Sequence, residues 1–251
     1  MNAIFDKIAF QYDENRGGER RGLQFSEAIE PLIDKNRRVL EMGVGTGVVA
    51  GALQNKGYDI IGIDVSSEML RRAVDRVTAL VWSDMNKLPF LDGFFGCVYS
   101  VWALHLADDI TKALKEVRRT LDDGGCFINC SAANAGVSPP KDPAGQIVAE
   151  MQLQLSGPQL SRDAPEELEK LCGEAGFEFE TVVNLSHSYK TSVTEVLLHI
   201  ERNGMSTLVK ASEDQRRDII EPALAKLRDI PNPDDEIIRD RVHQFAVLRA
   251  V

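Results

Sequence analysis

Three groups of residues in this 251-residue chain could do chemistry together. The first is an acid followed by spaced glycines, Glu41-Met42-Gly43-Val44-Gly45-Thr46-Gly47, after the apolar pair Val39-Leu40. The second is a pair of later acids, Asp64 and Asp84, each closing an apolar run, and the third is His105, at the end of the nearly continuous apolar run from Phe94. Glycine lets the backbone take positive φ and lets a ligand lie against the main chain where a β-carbon would collide. An acid roughly 20 residues beyond such a loop is what a nucleoside-binding α/β unit uses to hold ribose hydroxyls, and Asp64 stands there. The alternative for Asp64 is capping, with Ser66 and Ser67, of a helix that starts near Glu68. A histidine, with an unperturbed pKa of about 6.5, can take a proton at neutral pH; the alternative for His105 is a structural bond to a loop.

The glycine spacing narrows the ligand. A dinucleotide fingerprint beginning at Gly43 requires glycine at position 48, where valine stands, and no Gly-Lys-Ser/Thr follows as a phosphate loop requires. Glu-x-Gly-x-Gly-x-Gly resembles motif I of the class I S-adenosylmethionine (SAM) dependent methyltransferases. The opening Phe5-Asp6-Lys7-Ile8-Ala9-Phe10-Gln11-Tyr12-Asp13 is similar to that of their small-molecule branch, the ubiquinone and biotin-pathway enzymes with a methyltransferase type 11 domain. The resemblance has specific motifs over residues 5–132 and covers the rest in outline. It implies SAM as cofactor and S-adenosylhomocysteine as product. It also implies that Tyr12 touches the methionine end, that Arg16 or Arg21 meets its carboxylate, and that Asp84 and the Met85 amide receive the adenine. The cofactor-binding set expected on this basis is Tyr12, Arg21, Glu41, Met42, Gly43, Gly45, Gly47, Asp64, Val65, Met69, Asp84, Met85, Ser100, Val101 and Trp102. His105 is the candidate general base, and no metal is expected. Alternatives remain for three of these: a lid without direct contact for the opening segment, a plain turn for Asp84, and a core tryptophan for Trp102, whose ring face could otherwise attract a sulfonium.

The elements that must position these residues follow from periodicity. Val39 onward reads as a first strand, Val48 to Leu53 as the helix after the loop, Asp59 to Val65 as a second strand, and Ala79 to Met85 as a third. Phe94 to His105 reads as a central parallel strand buried on both faces, whose carboxyl end faces a ligand. Asp108 or Asp109 caps a helix with apolar Ile110, Ala113, Leu114, Val117 and Leu121, and Asp122-Asp123-Gly124-Gly125 turns into the strand Cys126–Cys130. Ala135 to Pro143 is a Gly/Pro-rich loop, and Ile147 to Leu155 a short helix. Asp163 caps a helix that Gly176 ends, and Phe177 to Val183 and Phe245 to Leu248 are the last strands. Earlier, Phe25 to Ile33 is an amphipathic helix. Ser192-Val193-Thr194-Glu195 and Ser212-Glu213-Asp214-Gln215 begin two helices; Gly204 stops the first and Pro222 bends the second.

These elements predict an α/β chain with a Rossmann-like, seven-stranded, mostly parallel sheet, an antiparallel last strand, and helices on both faces. The expected divisions are a lid at 1–36, a core at 37–186, a helical cap at 187–234 (or a dimerisation arm) and a closing strand at 235–251. The net charge of −10 weighs against a nucleic-acid substrate. Four cysteines, Cys97, Cys126, Cys130 and Cys172, form no metal or redox motif. No 18-residue apolar run and no leader layout is present, so the expectation is a soluble cytoplasmic protein without membrane association, monomeric or homodimeric. The expected function is methyl transfer from SAM to a small-molecule acceptor. The other readings are a SAM-binding member with another reaction or a regulatory role, and a tRNA methyltransferase. No Asn/Asp-Pro-Pro-Tyr/Phe motif follows the fourth strand, which disfavours amide or adenine amino acceptors.

Overall fold

The computed structural model describes residues 6, 9–131, 140–157 and 161–251. Ile4, Phe5 and Ile8 of the expected opening helix, and residues 135–139 of the expected loop, lie outside the described residues.

Seven strands, β1 (Val39–Met42), β2 (Ile60–Asp64), β3 (Ala79–Trp82), β4 (Phe95–Val101), β5 (Leu121–Cys130), β6 (Phe177–Thr191) and β7 (Ile237–Ala250), form one sheet in the order 3-2-1-4-5-7-6. The neighbours from β3 to β5 pair in parallel, and β7 pairs antiparallel with β5. The Rossmann-like sheet with its antiparallel last strand is therefore the expected one.

Alternation explains why the central strands read as continuous apolar runs. Leu40, Met42, Val98 and Phe127 pack into one buried cluster, while Val39, Cys97, Tyr99, Cys126 and Ile128 pack into another. Successive side chains of a strand point to opposite faces, so a strand covered on both sides is apolar along most of its length, with Glu41, Ser100 and Asn129 the buried polar exceptions toward the carboxyl ends. The first cluster draws in Leu114, Val117 and Leu168, and the second draws in Phe25, Ile29 and Leu53. Full burial of a large apolar side chain contributes roughly 1.5–3 kcal/mol.

Contacts divide the chain into two units, Met1–Ala135 with Ser161–Leu185 and His243–Val251, and Gly136–Leu160 with Ser186–Val242. In the first, Asp109 caps the helix Ile110–Thr120 by accepting from the Lys112 amide at 3.0 Å, and Arg118 and Arg119 sit favourably in its last turn. The second has its own core, in which Ala144 and Met151 of the helix Pro143–Ser156 meet Val193, Val196, Ile200, Leu208, Leu224 and Leu227. Ser192 caps the helix Val193–Glu201, and Ser212 with Gln215 completes a capping box. The helix Val193–Glu201 ends before left-handed Asn203, one residue ahead of the expected Gly204. Just before Pro222 the chain widens into a π-helical turn, Arg216–Ile220, because proline offers no amide to the preceding turn.

Three expectations need correction. β4 stops at Val101, and Trp102 takes φ 55°, which turns the chain out of the sheet, so His105 lies in a 3₁₀ turn, Leu104–Leu106. β3 stops at Trp82, two residues short of Asp84. Asp163 caps nothing: Ala164 precedes the helix Pro165–Cys172 without a side-chain cap, and Asp163 is fully buried.

Candidate ligand cleft at the strand ends

The strand order reverses between β1 and β4, and open α/β sheets bind ligands at the carboxyl ends of the strands beside such a reversal. The loop after β1 occupies that place. Gly43 and Gly45 have φ 70° and 54°. A β-carbon on Gly43 would fall 2.3 Å from that of Ala103 in the loop after β4, so the two loops close on each other only with glycine there. A β-carbon on Gly45 would meet nothing within 4 Å, which leaves its backbone open to a ligand.

Asp64 is built into this loop. One carboxylate oxygen accepts from the Gly45 amide at 2.9 Å and the other from the Ser66 amide at 2.8 Å. Ser66, not Asp64, caps the helix Ser67–Ala73, with its hydroxyl accepting from the Met69 amide at 3.2 Å. Burial pushes the Asp64 carboxyl above the usual range, and the amides of Ser66, Gly45 and Val65 oppose that shift.

Two adjoining hollows share Tyr12, Gly43, Gly45, Val101 and Trp102 as walls. The larger, about 190 Å³, adds Asp64, Val65, Met69, Asp84 and Met85 of the expected set. Ala103, within the expected lining stretch from Ser100 to His105, completes it with Ile63, Ser83, Leu106, Ala107 and Asp108; the last three were not foreseen, since an unbroken strand to His105 hides the turn that brings them round. The smaller, about 20 Å³, is lined by Arg21 and Glu41, with Val44, Val48 and Val49. Of the remaining expected residues, Met42 is in the core, Gly47 precedes the helix Val48–Asn55, Ser100 is fully buried in β4, and His105 lines neither hollow.

Glu41 and Arg21 are the charged pair of the smaller hollow, 2% and 9% exposed. Glu41 accepts a hydrogen bond from the Tyr99 hydroxyl at 2.9 Å. Burial drives the Glu41 carboxyl up to about 8, against the lowering effect of Tyr99, the Ala50 amide and Arg21. The Arg21 guanidinium lies over the Tyr12 ring at 5.4 Å and the Trp102 ring at 5.2 Å. Its Nε and Nη1 are buried without an acceptor among the described residues. Cation–π contact, worth roughly 0.5–2 kcal/mol, does not replace the hydrogen bonds those nitrogens lack.

The short helix Tyr12–Arg16 is fastened to the glycine loop. Asp13 accepts from the Thr46 hydroxyl and pairs with Arg76 at 3.0 Å, while Arg76 also pairs with Glu19 at 2.8 Å and donates to the Thr46 carbonyl at 2.9 Å. Asp84 accepts from the Asn86 amide at 2.8 Å, a local turn that leaves its carboxylate at the cleft wall. His105 points elsewhere: its Nδ1 lies 3.8 Å from a buried Asp163 oxygen. Burial would raise the Asp163 carboxyl, but His105, Ser161 and Asn129 together hold it below its ordinary value. Neither the spacing nor the residue types announce that cluster, because Asn129 and Asp163 meet across 34 residues of chain.

Residues 40–129 match the methyltransferase domain family. A malonyl-[acyl-carrier protein] O-methyltransferase of Halorhodospira halophila is 33% identical over 132 residues, 49% of this chain and 45% of that protein. The ubiquinone/menaquinone biosynthesis C-methyltransferase of Desulfotalea psychrophila is 35% identical over 139 residues, 50% and 55% of the two chains. The chain thus spans about half the length of the curated relatives it matches. Among solved structures, Haemonchus contortus phosphoethanolamine N-methyltransferase 2 in complex with S-adenosyl-L-methionine aligns with TM-score 0.56 and 20% identity, covering 98% of this chain and 57% of that one. The [4+2]-cyclase SpnF aligns with TM-score 0.58 and 18% identity, covering 99% and 95%. At such identities these structures show the fold alone. The match makes residues 40–129 of this chain similar to the methyltransferase domain family.

Proposed function

We propose that this protein transfers a methyl group from SAM to a small-molecule acceptor. The observation that carries the reading is the pairing, within one cleft, of an open glycine backbone with a buried acid and a buried base that do not satisfy each other. SAM ends in an ammonium and a carboxylate. The residues present fit that group: Arg21 has two buried nitrogens without an acceptor, Glu41 has a carboxyl beside them, and Gly45 presents bare backbone. The adenosine half would take the larger hollow, with Asp64 toward the ribose and Asp84 and the Met85 amide toward the base. Trp102 and Tyr12 border both hollows and would flank the centre of the ligand.

When bound, SAM supplies an activated methyl on a sulfonium that is already a good leaving group. The protein's task is then to hold the acceptor in line and keep water out, and positioning of this kind contributes up to roughly 7–11 kcal/mol. The relatives named above are, by their names, an O-methyltransferase of malonyl-[acyl-carrier protein] and a C-methyltransferase of ubiquinone/menaquinone biosynthesis. For this chain the reading extends to a small molecule and no further. The net charge of −10 disfavours tRNA, since phosphate contacts dominate such binding. Incubation with methyl-labelled SAM and a small-molecule extract, followed by separation, tests the proposal. Label in an organic product supports it. SAM binding without transfer to any fraction would favour the reading in which the fold binds SAM for another purpose.

A further inference from the structure

We infer that Arg162 and Asp163 are positioning residues for the cofactor: neither lines a hollow, yet together they clasp the turn after β4 and hold it in place as a wall of the larger one. This rests on the cofactor reading above and deepens it. The turn supplies Trp102, Ala103, Leu106, Ala107 and Asp108 to that wall. Its first residue is left-handed, since Trp102 has φ 55° without being glycine or asparagine. Such a conformation is strained and lasts only where the surroundings over-determine it. Inside the turn the Leu106 amide donates to the Ala103 carbonyl at 2.9 Å and the Ala107 amide to the Leu104 carbonyl at 3.0 Å. Those bonds shape the turn but do not fasten it to the sheet.

Three ties fasten it from outside. The Trp102 amide donates to the Cys130 carbonyl, at the end of β5, at 2.8 Å. The Arg162 guanidinium donates to the Ala107 carbonyl at 3.1 Å and to the Asp108 carbonyl at 3.4 Å. Between these, His105 turns its Nδ1 toward a carboxylate oxygen of Asp163, 3.8 Å away. Asn86 adds a bond to the Asp109 carbonyl, one residue beyond the turn. Arg162 and Asp163, adjacent in the chain, therefore grip the residues on either side of Leu106.

A clasp holds only if its own footing is fixed, and Asp163 is that footing. It is fully buried, and the Asn129 side-chain amide donates to its backbone carbonyl at 3.0 Å and to its carboxylate at 3.3 Å. The hydroxyls of Ser131, at 3.1 Å, and of Ser161 also donate to that carboxylate, and the Ala164 amide closes the segment on the Ser161 carbonyl at 2.9 Å. Asn129 ends β5 and Ser131 follows it, so the segment is bolted to the strand beside β4. From that base Arg162 reaches outward to the turn. Without it the turn would populate an opened form that lacks the wall, and the apparent affinity falls with the fraction of time the wall is in place. Arg162 is exposed and bonds two carbonyls, so its loss should cost about tenfold in affinity.

The test compares the full chain with Arg162→Ala and Arg162→Lys, by calorimetric titration with S-adenosylhomocysteine and 5′-methylthioadenosine and by hydrogen exchange read with mass spectrometry. Arg162→Ala should weaken both ligands by about tenfold and by the same factor, because both carry the nucleoside that the larger hollow would take. In the ligand-free variant, exchange should quicken over residues 102–109 and 161–164 alone, and saturating S-adenosylhomocysteine should slow it again. Arg162→Lys, which can still reach one carbonyl, should recover most of the loss. Asp163→Asn keeps the size of the side chain and removes the charge facing His105; it should repeat the pattern, and a folded Asp163→Asn with parental affinity and exchange would contradict the pair. If that variant does not fold, the two Arg162 variants decide. Should the parent bind and Arg162→Ala bind equally well, the clasp does not shape the site and the inference is wrong. A loss confined to S-adenosylhomocysteine would place the effect at the amino-acid head, and exchange that quickens throughout the chain would make it a general loss of stability; either overturns the inference. If the parent binds neither ligand, the cofactor reading itself fails and takes this inference down with it.

Discussion

Replacing Glu41 with Gln should stabilise the ligand-free protein at neutral and alkaline pH, and the size of the effect follows from one number. Burial pushes the carboxyl up to about 8 in the folded chain, well above the ordinary carboxylate range. Below pH 4.5 both folded and unfolded states hold the proton, and the folded state pays no penalty. As pH rises from 4.5 to 8 the unfolded chain releases its proton and the folded chain keeps it, so stability falls by about 1.4 kcal/mol per unit. The loss is complete once pH passes the folded value, and amounts to about 5 kcal/mol in all, or about 4 between pH 5 and 8. Gln keeps an acceptor for the Tyr99 hydroxyl but cannot ionise. It also brings an amide NH₂ near Arg21, an offset that does not vary with pH, so the informative quantity is the slope rather than the absolute difference. Urea denaturation followed by tryptophan fluorescence suits the question, because Trp82 and Trp102 both lie in the unit that holds the cleft. The variant should gain on the parent by about 1.4 kcal/mol for each unit from pH 5 to 8. A difference that stays flat over that range would refute the reasoning, since it would mean that Glu41 ionises as readily in the fold as out of it.

Four further outcomes follow. Asp64→Ala should weaken S-adenosylhomocysteine binding by roughly 1.5–3 kcal/mol, the scale of a hydrogen bond to a charged group; unchanged affinity, by calorimetry on a folded variant, would leave Asp64 only its bonds to Gly45 and Ser66. Gly43→Ala should lower the melting temperature and abolish ligand binding, because its β-carbon would sit 2.3 Å from that of Ala103 at a φ of 70°, while a variant with parental melting and affinity would show that the loops separate freely. His105→Asn should leave the pH profile of turnover in place, because His105 lines neither hollow; a loss of about 100-fold, measured once an acceptor is found, would instead make it a general base. Val196→Asp places a charge in the core of the second unit, which holds the helical cap expected over residues 187–234. It should abolish turnover yet leave S-adenosylhomocysteine affinity within about 1 kcal/mol, whereas a change of oligomeric state with turnover intact, seen by light scattering, would give that unit a dimerising role.

How much of this was legible in the sequence depended on how local each feature is. The glycine loop and Asp64 were legible because strand, loop and helix succeed one another within a few residues, and a parallel sheet brings the ends of β1 and β2 side by side. The roles within that loop were less so: Ser66, two residues on, does the capping that Asp64 could have done. Trp102 was ambiguous because its left-handed backbone has no sequence signature outside glycine and asparagine, and that single residue decides where Ala103 to Asp108 face. Asp163 was misread for the same reason in reverse. An acid just ahead of Ala164-Pro165-Glu166 looks like a cap, and only the fold shows that it turns inward to Asn129, Ser131 and Ser161. The grouping of Pro143–Ser156 with the helices after residue 192 had no local mark, since it depends on apolar faces that meet across 40 or more positions of sequence.

Among the described residues no helix is long and apolar enough to cross a membrane, and no cluster of three metal-ligating side chains is found. The central claim is narrower than either statement: the hollows around Gly43 and Gly45 are a SAM site. Titration of the full chain with S-adenosylhomocysteine and, separately, with NAD tests it most directly. The account predicts saturable one-to-one binding of S-adenosylhomocysteine and no heat from NAD, and binding of NAD with no response to S-adenosylhomocysteine would contradict it.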